Sequence, residues 1–514
     1  MSGPALVIGS GPNGLAAAIT LAEAGRRVTV LEAAGRAGGA VATEELTLPG
    51  FHHDTFSAVY PAAAASPVFA RWPLEDHGLR WVHPRRCYAH PLPDGRAVAL
   101  SRDLDETAAT LDALAPGDGA AWREFAGPYV EHFGAWRATM IAGFPPLAGP
   151  ARLLAGLGLD GMLDWVRLLL MPASVLAQRL FAAGGARAWL YGSAMHGDVP
   201  PLGAGSAIAA THLNVLGHAV GWPSPAGGAG ALTDALVGHL AALGGEVRTG
   251  APVTAVEVTG GRVTGAIVAG AERVPGATVI GDVTPHALLA LAGDALEGRY
   301  RAELERFRYG PATLKVDWAL SGSVPWTAPE AREAGTVHVG GEEEETLAAL
   351  APGGSALPER PFLLFGQQSV ADPARAPAGQ HTAWAYTHGP HDADWEGERA
   401  AHVERIEAQV ERFAPGFRDL ILARHVLSPA DLEARDANLV QGDVGAGSYM
   451  LDQMVFRPVA RLSPYRTPVR GLYLGSAATF PGGSVHGAPG RAAARTALAD
   501  ERVRSLTAYA RRRR

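Results

Sequence analysis

The chain has 514 residues, enough for two or three domains around a large buried core. Its formal charge of −7 gives no reason to predict a nucleic acid as partner. Cys87 is the only cysteine, so the sequence excludes an intramolecular disulfide and Cys-x-x-Cys redox chemistry.

The N-terminal segment has the pattern of a nucleotide-binding βαβ unit, in which a glycine-rich turn joins an apolar strand to a helix. Gly9 permits the tight turn, Gly11 lets the backbone approach a pyrophosphate, and Gly14 allows close helix packing. The helix N-terminus favours an anion, and Glu32 ends the second strand, where an acid accepts hydrogen bonds from a ribose. We therefore predict a dinucleotide site formed by Gly9, Ser10, Gly11, Pro12, Asn13, Gly14 and Glu32.

Arg36-Ala37-Gly38-Gly39 follows the βαβ unit. Its glycines allow close approach to a ligand, and Arg36 can pair with phosphate. From Leu104 to about Leu213 the pattern is largely helical, and it carries aromatic residues at helical spacing. We predict that this aromatic stripe is core, with an apolar substrate tunnel as the alternative; it comprises Trp122, Phe125, Tyr129, Phe133, Trp136 and Met140.

Helices and strands alternate in the middle of the chain. A helix at about Leu232–Leu243 precedes strands around Val253, and Gly260-Gly261 predicts a hairpin turn. The strand predicted at Thr313–Leu320 carries Lys315, the single lysine of the chain. No second Gly-x-Gly-x-x-Gly follows a strand, so we predict one bound dinucleotide rather than two.

A second glycine-rich segment lies near the C-terminus, more than 400 residues from the first. A buried strand ends at Gly475, a loop rich in glycine follows, and a new helix begins near Gly490. This arrangement again allows close ligand approach at a helix N-terminus. Two such segments suit a ligand with two ends.

These features together resemble the phytoene dehydrogenase-like FAD oxidoreductases, which belong with the flavin amine oxidases to a larger fold group. The resemblance spans nearly the whole chain. Within the family it is similar to the branch that contains pyridine nucleotide-disulphide oxidoreductase domain-containing protein 2, through Gly221-Trp222-Pro223 and Arg457-Pro458. The motifs that carry the family resemblance are the N-terminal fingerprint, Arg36-Ala37-Gly38-Gly39, residues 244–249 and residues 471–490.

The resemblance implies FAD as the cofactor, with its pyrophosphate on the first motif and its adenosine ribose on Glu32. It further implies a backbone contact of Val253 with adenine. In the C-terminal block, Gly475, Ser476 and Val485 would hold the ribityl chain and the pyrimidine edge of the flavin. A helix N-terminus near His486 would stabilise negative charge on the reduced flavin.

The expected fold is α/β: a Rossmann-like FAD-binding domain of the glutathione-reductase type, with an interleaved α+β substrate domain and a helical cap. The FAD-binding domain is predicted to be discontinuous, at residues 1–95, 225–285 and 440–505. The substrate domain with its cap takes residues 96–224 and 286–439. A basic tail follows at residues 506–514.

Lys315 and His486 are the candidate catalytic residues. The setting of Lys315 is similar to the strand from which amine oxidases direct a lysine, through water, at flavin N5; an ordinary strand lysine is the alternative. His486 lies in the predicted flavin loop, where a structural role is the alternative, and His196 and His388 are further candidates for proton handling. His52, His53 and Asp54 could suggest a metal, but in the family this region packs beside the flavin, so we predict no metal.

The predicted function is an FAD-dependent, desaturase-like oxidoreductase that transfers a hydride from a hydrophobic small molecule to flavin and is reoxidised by oxygen, a quinone or another carrier. An amine oxidase is the first alternative. It is disfavoured because Pro481-Gly482-Gly483-Ser484 stands where amine oxidases tend to place a tyrosine. A flavin-loaded protein of interaction or regulation, with little turnover, is the second.

No apolar signal segment precedes the first strand, so we expect a cytoplasmic protein. The region Leu153–Phe181 could form a monotopic patch in peripheral contact with a membrane, but we favour a buried cap. The oligomeric state is left open.

Overall fold

The computed structural model describes residues 3–351 and 354–512. Its β-strands, in chain order, are β1 Ala5–Ile8, β2 Val28–Leu31, β3 Thr43–Glu44, β4 His53–Asp54, β5 Trp81–Val82, β6 Arg86–Pro91, β7 Ala97–Leu100, β8 Ser224–Pro225, β9 Glu246–Arg248, β10 Val253–Thr259, β11 Arg262–Val268, β12 Glu272–Pro275, β13 Thr278–Gly281, β14 Ala312–Leu320, β15 Ala334–Val339, β16 Leu363–Gly366, β17 His381–Gly389, β18 Ile421–Leu427 and β19 Leu472–Leu474.

The α-helices are α1 Pro12–Glu23, α2 Pro61–Ala64, α3 Leu104–Asp112, α4 Asp118–Glu131, α5 Phe133–Met140, α6 Ala148–Leu170, α7 Ala173–Leu180, α8 Gly184–Met195, α9 Ser206–Val220, α10 Gly230–Ala242, α11 Pro285–Ala292, α12 Gly298–Glu305, α13 Pro329–Arg332, α14 Glu343–Ala349, α15 Arg399–Phe413, α16 Pro429–Arg435, α17 Leu451–Met454 and α18 Ala488–Arg512. The mixture of strands and helices confirms the α/β class.

A five-stranded parallel sheet brings the two ends of the chain together, in the order β19-β13-β1-β2-β9. Its central strand, β1, is buried along its whole length, as expected for a parallel strand covered on both faces. Beside it lies the antiparallel sheet β10-β11-β12. The predicted hairpin is present, and Gly260 and Gly261 both have the positive φ that a tight two-residue turn requires.

A seven-stranded mixed sheet has the order β18-β14-β17-β16-β15-β6-β7. Side chains alternate between the two faces of a strand, and on β14 the residues Leu314, Val316 and Trp318 enter the hydrophobic core. The opposite face of β14 carries Lys315 and Asp317. The alternation therefore sends these two charged side chains away from that core.

Helices α3 to α9 form the predicted helical region. The aromatic stripe is core, since Trp122 and Trp136 have no exposed surface and Tyr129 is buried. Helix α6 differs from the buried cap that we favoured. Leu159 is 69% exposed and Leu170 is 57% exposed, so α6 presents an apolar face to solvent. A peripheral membrane contact stays a prediction.

Three boundaries differ from the predicted division of the chain. Strand β6 pairs in parallel with β15 and so belongs to the seven-stranded sheet, although it precedes residue 95. Leu288 of α11 and Leu304 of α12 pack with Leu6 and Ile8 of β1, so these helices cover the parallel sheet. Helix α18 continues to Arg512, so most of the predicted basic tail is helix; Arg513 and Arg514 lie outside the described residues.

Candidate functional site

The turn between β1 and α1 has room for backbone only. Gly9 has φ +94°, and a Cβ on it would lie 2.8 Å from the carbonyl oxygen of Asp282. A Cβ on Gly14 would lie 2.2 Å from the carbonyl oxygen of Gly9, and one on Gly11 would lie 2.8 Å from Oδ2 of Asp282. Each predicted glycine therefore has a steric reason, and the turn leaves the N-terminus of α1 uncovered by side chains of its own.

Glu32 folds back onto this turn. Its Oε2 accepts hydrogen bonds from the backbone N–H of Ser10 at 2.8 Å and from the Ser10 hydroxyl at 2.6 Å. Its Oε1 accepts one from the N–H of Ala34. The carboxylate is buried and held by three donors, and Oε1, which accepts one of these hydrogen bonds, keeps a further lone pair for a ligand hydroxyl.

The N-termini of α1 and α18 meet. A Cβ on Gly490 would lie 1.8 Å from the carbonyl oxygen of Asn13, and one on Gly475 would lie 2.8 Å from Cβ of Ala493. Pro12 at the first position of α1 removes an N–H that would have had no partner. Two helix N-termini at one end of the parallel sheet create a region favourable to anions. The structure thus joins the two glycine-rich segments that the sequence separates.

The other predicted cofactor residues surround this region. Gly38 donates to the Ser10 hydroxyl, and Gly39 adopts φ +54° close to Gly11. Arg36 instead forms an ion pair with Glu44 and is 44% exposed on its side chain. The remaining predicted cofactor residues are Val253 at the start of β10, buried Ser476 directly after Gly475, and half-buried Val485 before α18.

Asp282 was missed by the sequence analysis. It directly follows β13, the neighbour of β1, and its Oδ2 accepts a hydrogen bond of 2.7 Å from the N–H of Gly14. Burial raises the pKa of its carboxyl to about 7, and the carboxylates of Asp436 and Glu32 act in the same direction. An acid at the carboxyl end of a strand beside β1 is a signal that could have identified it.

Lys315 lies in a buried polar cluster rather than alone. Its Nζ donates to Oδ1 of Asp317 at 2.5 Å and to the carbonyl oxygen of Asp54 at 3.1 Å. Burial raises the pKa of the Asp317 carboxyl to about 6, while Lys315 opposes that shift. Because these protein groups engage two of the three ammonium donors, the arrangement favours the structural alternative, and the catalytic role stays a prediction.

Asp54, His53 and His486, which were predicted near the flavin, form hydrogen bonds or ion pairs with other protein groups. Asp54 pairs with buried Arg375 at 2.9 Å, and His53 contacts the Thr47 hydroxyl at 2.7 Å. His486 accepts a hydrogen bond on Nδ1 from the N–H of Ala488, at the start of α18. Burial lowers the pKa of the His486 imidazole to about 4, so it is neutral at pH 7. This position suits a helix cap, and a catalytic role of His486 stays a prediction.

Two further histidines meet between the seven-stranded sheet and the end of α8. Nε2 of His196 lies 2.9 Å from Nε2 of His338. Burial lowers the pKa of His196 to about 3 and that of His338 well below its ordinary value, so both imidazoles are neutral. His338 stacks on Tyr88 with ring centroids 4.3 Å apart. The surroundings of the His196–His338 pair are aromatic and uncharged.

His388 lies on β17 beside this pair. Its Nδ1 is 3.1 Å from the hydroxyl oxygen of Thr313, and its Nε2 is 3.1 Å from Oδ1 of Asp198. Asp198 follows α8 and adopts φ +53°, a conformation uncommon for a residue with a side chain. No local pattern identifies Asp198, because its partner is almost two hundred residues away.

Residues 443–449 form a loop that covers the C-terminal glycine segment. Asp443 organises it by accepting hydrogen bonds from the N–H groups of Gly445 and Gly447. The Tyr449 hydroxyl accepts a hydrogen bond from the N–H of Gly483. Buried Arg457 stacks over the Tyr449 ring at 4.4 Å. An aromatic side chain from another segment therefore lies over Gly483, where the local sequence offers none.

Among residues 3–351 and 354–512, no group of three or more His, Cys, Asp or Glu side chains is arranged to hold a metal ion. In the same part of the chain, no helix has the length and apolar character needed to cross a membrane.

Comparison with known proteins places this geometry in context. The family model described as flavin containing amine oxidoreductase matches residues 13–498. Pyridine nucleotide-disulfide oxidoreductase domain-containing protein 2 of Rattus norvegicus is 29% identical, over 96% of this chain and 93% of the relative. Phytoene desaturase (neurosporene-forming) of Rhodobacter capsulatus is 25% identical, over 94% and 91%. Cyclohexylamine oxidase of Brevibacterium oxydans has a similar fold, with a TM-score of 0.58 at 16% identity over 97% of this chain and 98% of the other.

Proposed function

Because the chain belongs to the flavin-containing amine oxidoreductase family and is an FAD-dependent oxidoreductase, we propose that it dehydrogenates a hydrophobic small molecule by hydride transfer to FAD. The observation that carries this proposal is the meeting of the α1 and α18 N-termini, which joins the two glycine-rich segments at one end of the parallel sheet. One end of the cofactor would lie on the turn between β1 and α1, and the other on the loop that precedes α18.

The residues present fit FAD. Side chains are absent at Gly9, Gly11 and Gly14, where the diphosphate would approach the backbone, and Oε1 of buried Glu32 keeps a lone pair for the adenosine ribose. We propose that the five-stranded sheet with β10-β11-β12 is a Rossmann-like FAD-binding domain. Gly475, Ser476 and Val485 would hold the flavin half.

When bound, FAD supplies the two-electron chemistry. The protein would contribute binding, orientation and exclusion of water. The α18 N-terminus would stabilise negative charge that develops on the isoalloxazine ring. Tyr449, fixed by Gly483 and Arg457, would limit the space above the C-terminal loop.

Two other activities of the same family compete with this proposal. Amine oxidation is favoured by the fold shared with cyclohexylamine oxidase, but that likeness concerns the fold alone. A flavin-loaded protein with a role in interaction or regulation would have the same cofactor-binding residues but little turnover. Oxygen, a quinone or another carrier would reoxidise the flavin in the leading proposal.

Anaerobic reduction of the flavin tests the proposal. The purified yellow protein is incubated with separate sets of apolar hydrocarbons, apolar alcohols and primary amines, and loss of visible flavin absorbance is followed. We expect bleaching by an apolar compound, with no hydrogen peroxide released from amines once air is admitted. Bleaching by amines alone would support amine oxidation, and the absence of bleaching by every set would support the regulatory alternative.

The raised pKa of Asp282 predicts pH-dependent FAD affinity. The folded pKa of about 7 lies above the ordinary value for Asp. The carboxyl group in the folded protein therefore ionises at a higher pH than usual, and it is fully ionised only well above about pH 7. The ionised carboxylate would then repel the diphosphate. We expect FAD affinity to fall roughly tenfold between about pH 6 and about pH 8, and Asp282→Asn to lose this dependence, as measured by quenching of flavin fluorescence. Equal pH profiles for wild type and D282N would contradict this prediction.

A further inference from the structure

Asp198 and His388 form a buried pair with unused hydrogen-bonding capacity. The side chain of Asp198 is 5% exposed and that of His388 is 9% exposed. Although Nε2 of His388 lies 3.1 Å from Oδ1 of Asp198, it completes no hydrogen bond with any atom of the described residues. The pair is an electrostatic contact in which each partner can still bond a third group.

Both neighbours of the His388 ring favour an N–H at Nε2. The Thr313 hydroxyl, 3.1 Å from Nδ1, can donate to that nitrogen, and Nε2 faces the carboxylate of Asp198. Nε2 is then a donor and the Asp198 carboxylate an acceptor, side by side. A hydroxyl group satisfies both at once, because it donates one hydrogen bond and accepts another.

The pair lies close to the C-terminal glycine loop. A Cβ on Gly445 would lie 2.3 Å from Oδ2 of Asp198, and one on Gly483 would lie 2.6 Å from the carbonyl oxygen of Gly445. Gly445, in the loop of residues 443–449, therefore separates Asp198 from the C-terminal glycine segment that is proposed to hold the flavin. On its other sides the pair meets Tyr386, whose ring centroid is 5.1 Å from that of His388, and neutral His196.

We propose that Asp198 and His388 bind the hydroxyl group of an apolar alcohol, and that the enzyme oxidises this alcohol to a carbonyl compound. This inference rests on the proposed function and adds its substrate class. The carbinol carbon loses a hydride, with two electrons, to the bound flavin. The hydroxyl proton passes to Asp198, and the C–O single bond becomes C=O. Asp198 is the catalytic residue, and His388 is a positioning residue.

Desolvation gives the reason for this choice over a hydrocarbon. A hydrocarbon bound against this pair would displace water from the Asp198 carboxylate and the His388 N–H and replace none of their hydrogen bonds, which is unfavourable for buried polar groups. A site built to bond a hydroxyl rejects the analogue that lacks it. An ammonium group could pair with Asp198 but has no lone pair for Nε2–H of His388.

Binding of three probes of similar shape tests the inference before turnover. Benzyl alcohol, toluene and benzylamine are each mixed rapidly and anaerobically with the flavin-loaded protein, and the perturbation of the oxidised flavin spectrum that precedes any bleaching gives each affinity. We expect benzyl alcohol to bind at least about tenfold more tightly than toluene. Asp198→Leu should abolish this preference, whereas Asp164→Asn, on the exposed side of α6, should keep it.

Two substitutions at His388 separate positioning from packing. His388→Gln retains an N–H donor toward Asp198 and should keep the preference for benzyl alcohol, whereas His388→Phe should lose it. Equal affinity for toluene, preference for benzylamine, absence of any spectral change, or an unchanged preference in D198L would overturn the inference. Failure of the proposed function is seen separately, as the absence of flavin bleaching by every set of compounds in the anaerobic reduction experiment.

Discussion

Substitution Gly490→Ala is expected to unfold the junction between α1 and α18 and to release the cofactor. The added methyl group would lie 1.8 Å from the carbonyl oxygen of Asn13, and the backbone atom cannot move without shifting α1. We expect a loss of about 3 kcal/mol in the free energy of unfolding. Urea unfolding and the ratio of flavin to protein after purification measure both effects.

Gly134→Ala is the matched control. Gly134 is also a glycine in the first turn of a helix, in α5, but no atom lies within 4 Å of the added Cβ. Alanine has the higher helix propensity, so this variant should keep its flavin and gain about 0.5–1 kcal/mol. If G490A retained flavin and wild-type stability, the close approach of the two helices would be wrong.

Substitution Lys315→Met is expected to destabilise the protein by about 3–5 kcal/mol, because it leaves the carboxylate of Asp317 buried without a cation. The pKa of Asp317 is already raised to about 6, so its ionised form is costly above that pH, and the cost disappears as the carboxyl becomes protonated. K315M should therefore lose more stability at about pH 8 than at about pH 5. Urea unfolding at both pH values measures this difference.

The double variant Lys315→Met/Asp317→Leu separates structure from catalysis. Replacing both members of a buried ion pair by apolar residues is often neutral, so stability should return toward that of wild type. We expect its reduced flavin to react with oxygen at a rate close to that of wild type, as followed by stopped-flow absorbance. A slowdown of more than about tenfold in this stable variant would instead support the catalytic role of Lys315.

The local steric rules of the glycine fingerprint were readable from the sequence. Gly9, Gly14 and Glu32 occupy the positions that strand, turn and helix geometry require, and neighbouring residues in a βαβ unit meet through short-range contacts. Asp282 also lies at the carboxyl end of a parallel strand. The sequence analysis missed it because local patterns do not show that β13 is the neighbour of β1 in the sheet.

The surface of the cap was predicted less well. For Leu153–Phe181 a buried cap was preferred over a monotopic surface patch, but a helical pattern fixes only which side chains share a face. It does not fix whether another element covers that face. In the structure Leu159 and Leu170 remain exposed, whereas Trp122 and Trp136 of the neighbouring helices are covered.

The sequence by itself determined the two glycine-rich segments and the α/β class, because these depend on local backbone geometry and on contacts short in sequence, and its resemblance to a known family implied the flavin cofactor. Only the tertiary structure decided that α18 docks on α1, that Lys315 pairs with Asp317, and that Asp198 meets His388. Lys315 and Asp317 share strand β14, but the protein groups that contact this buried face of the strand come from elements distant in sequence. Such pairings follow from the summed packing of the whole chain, and no local pattern encodes them.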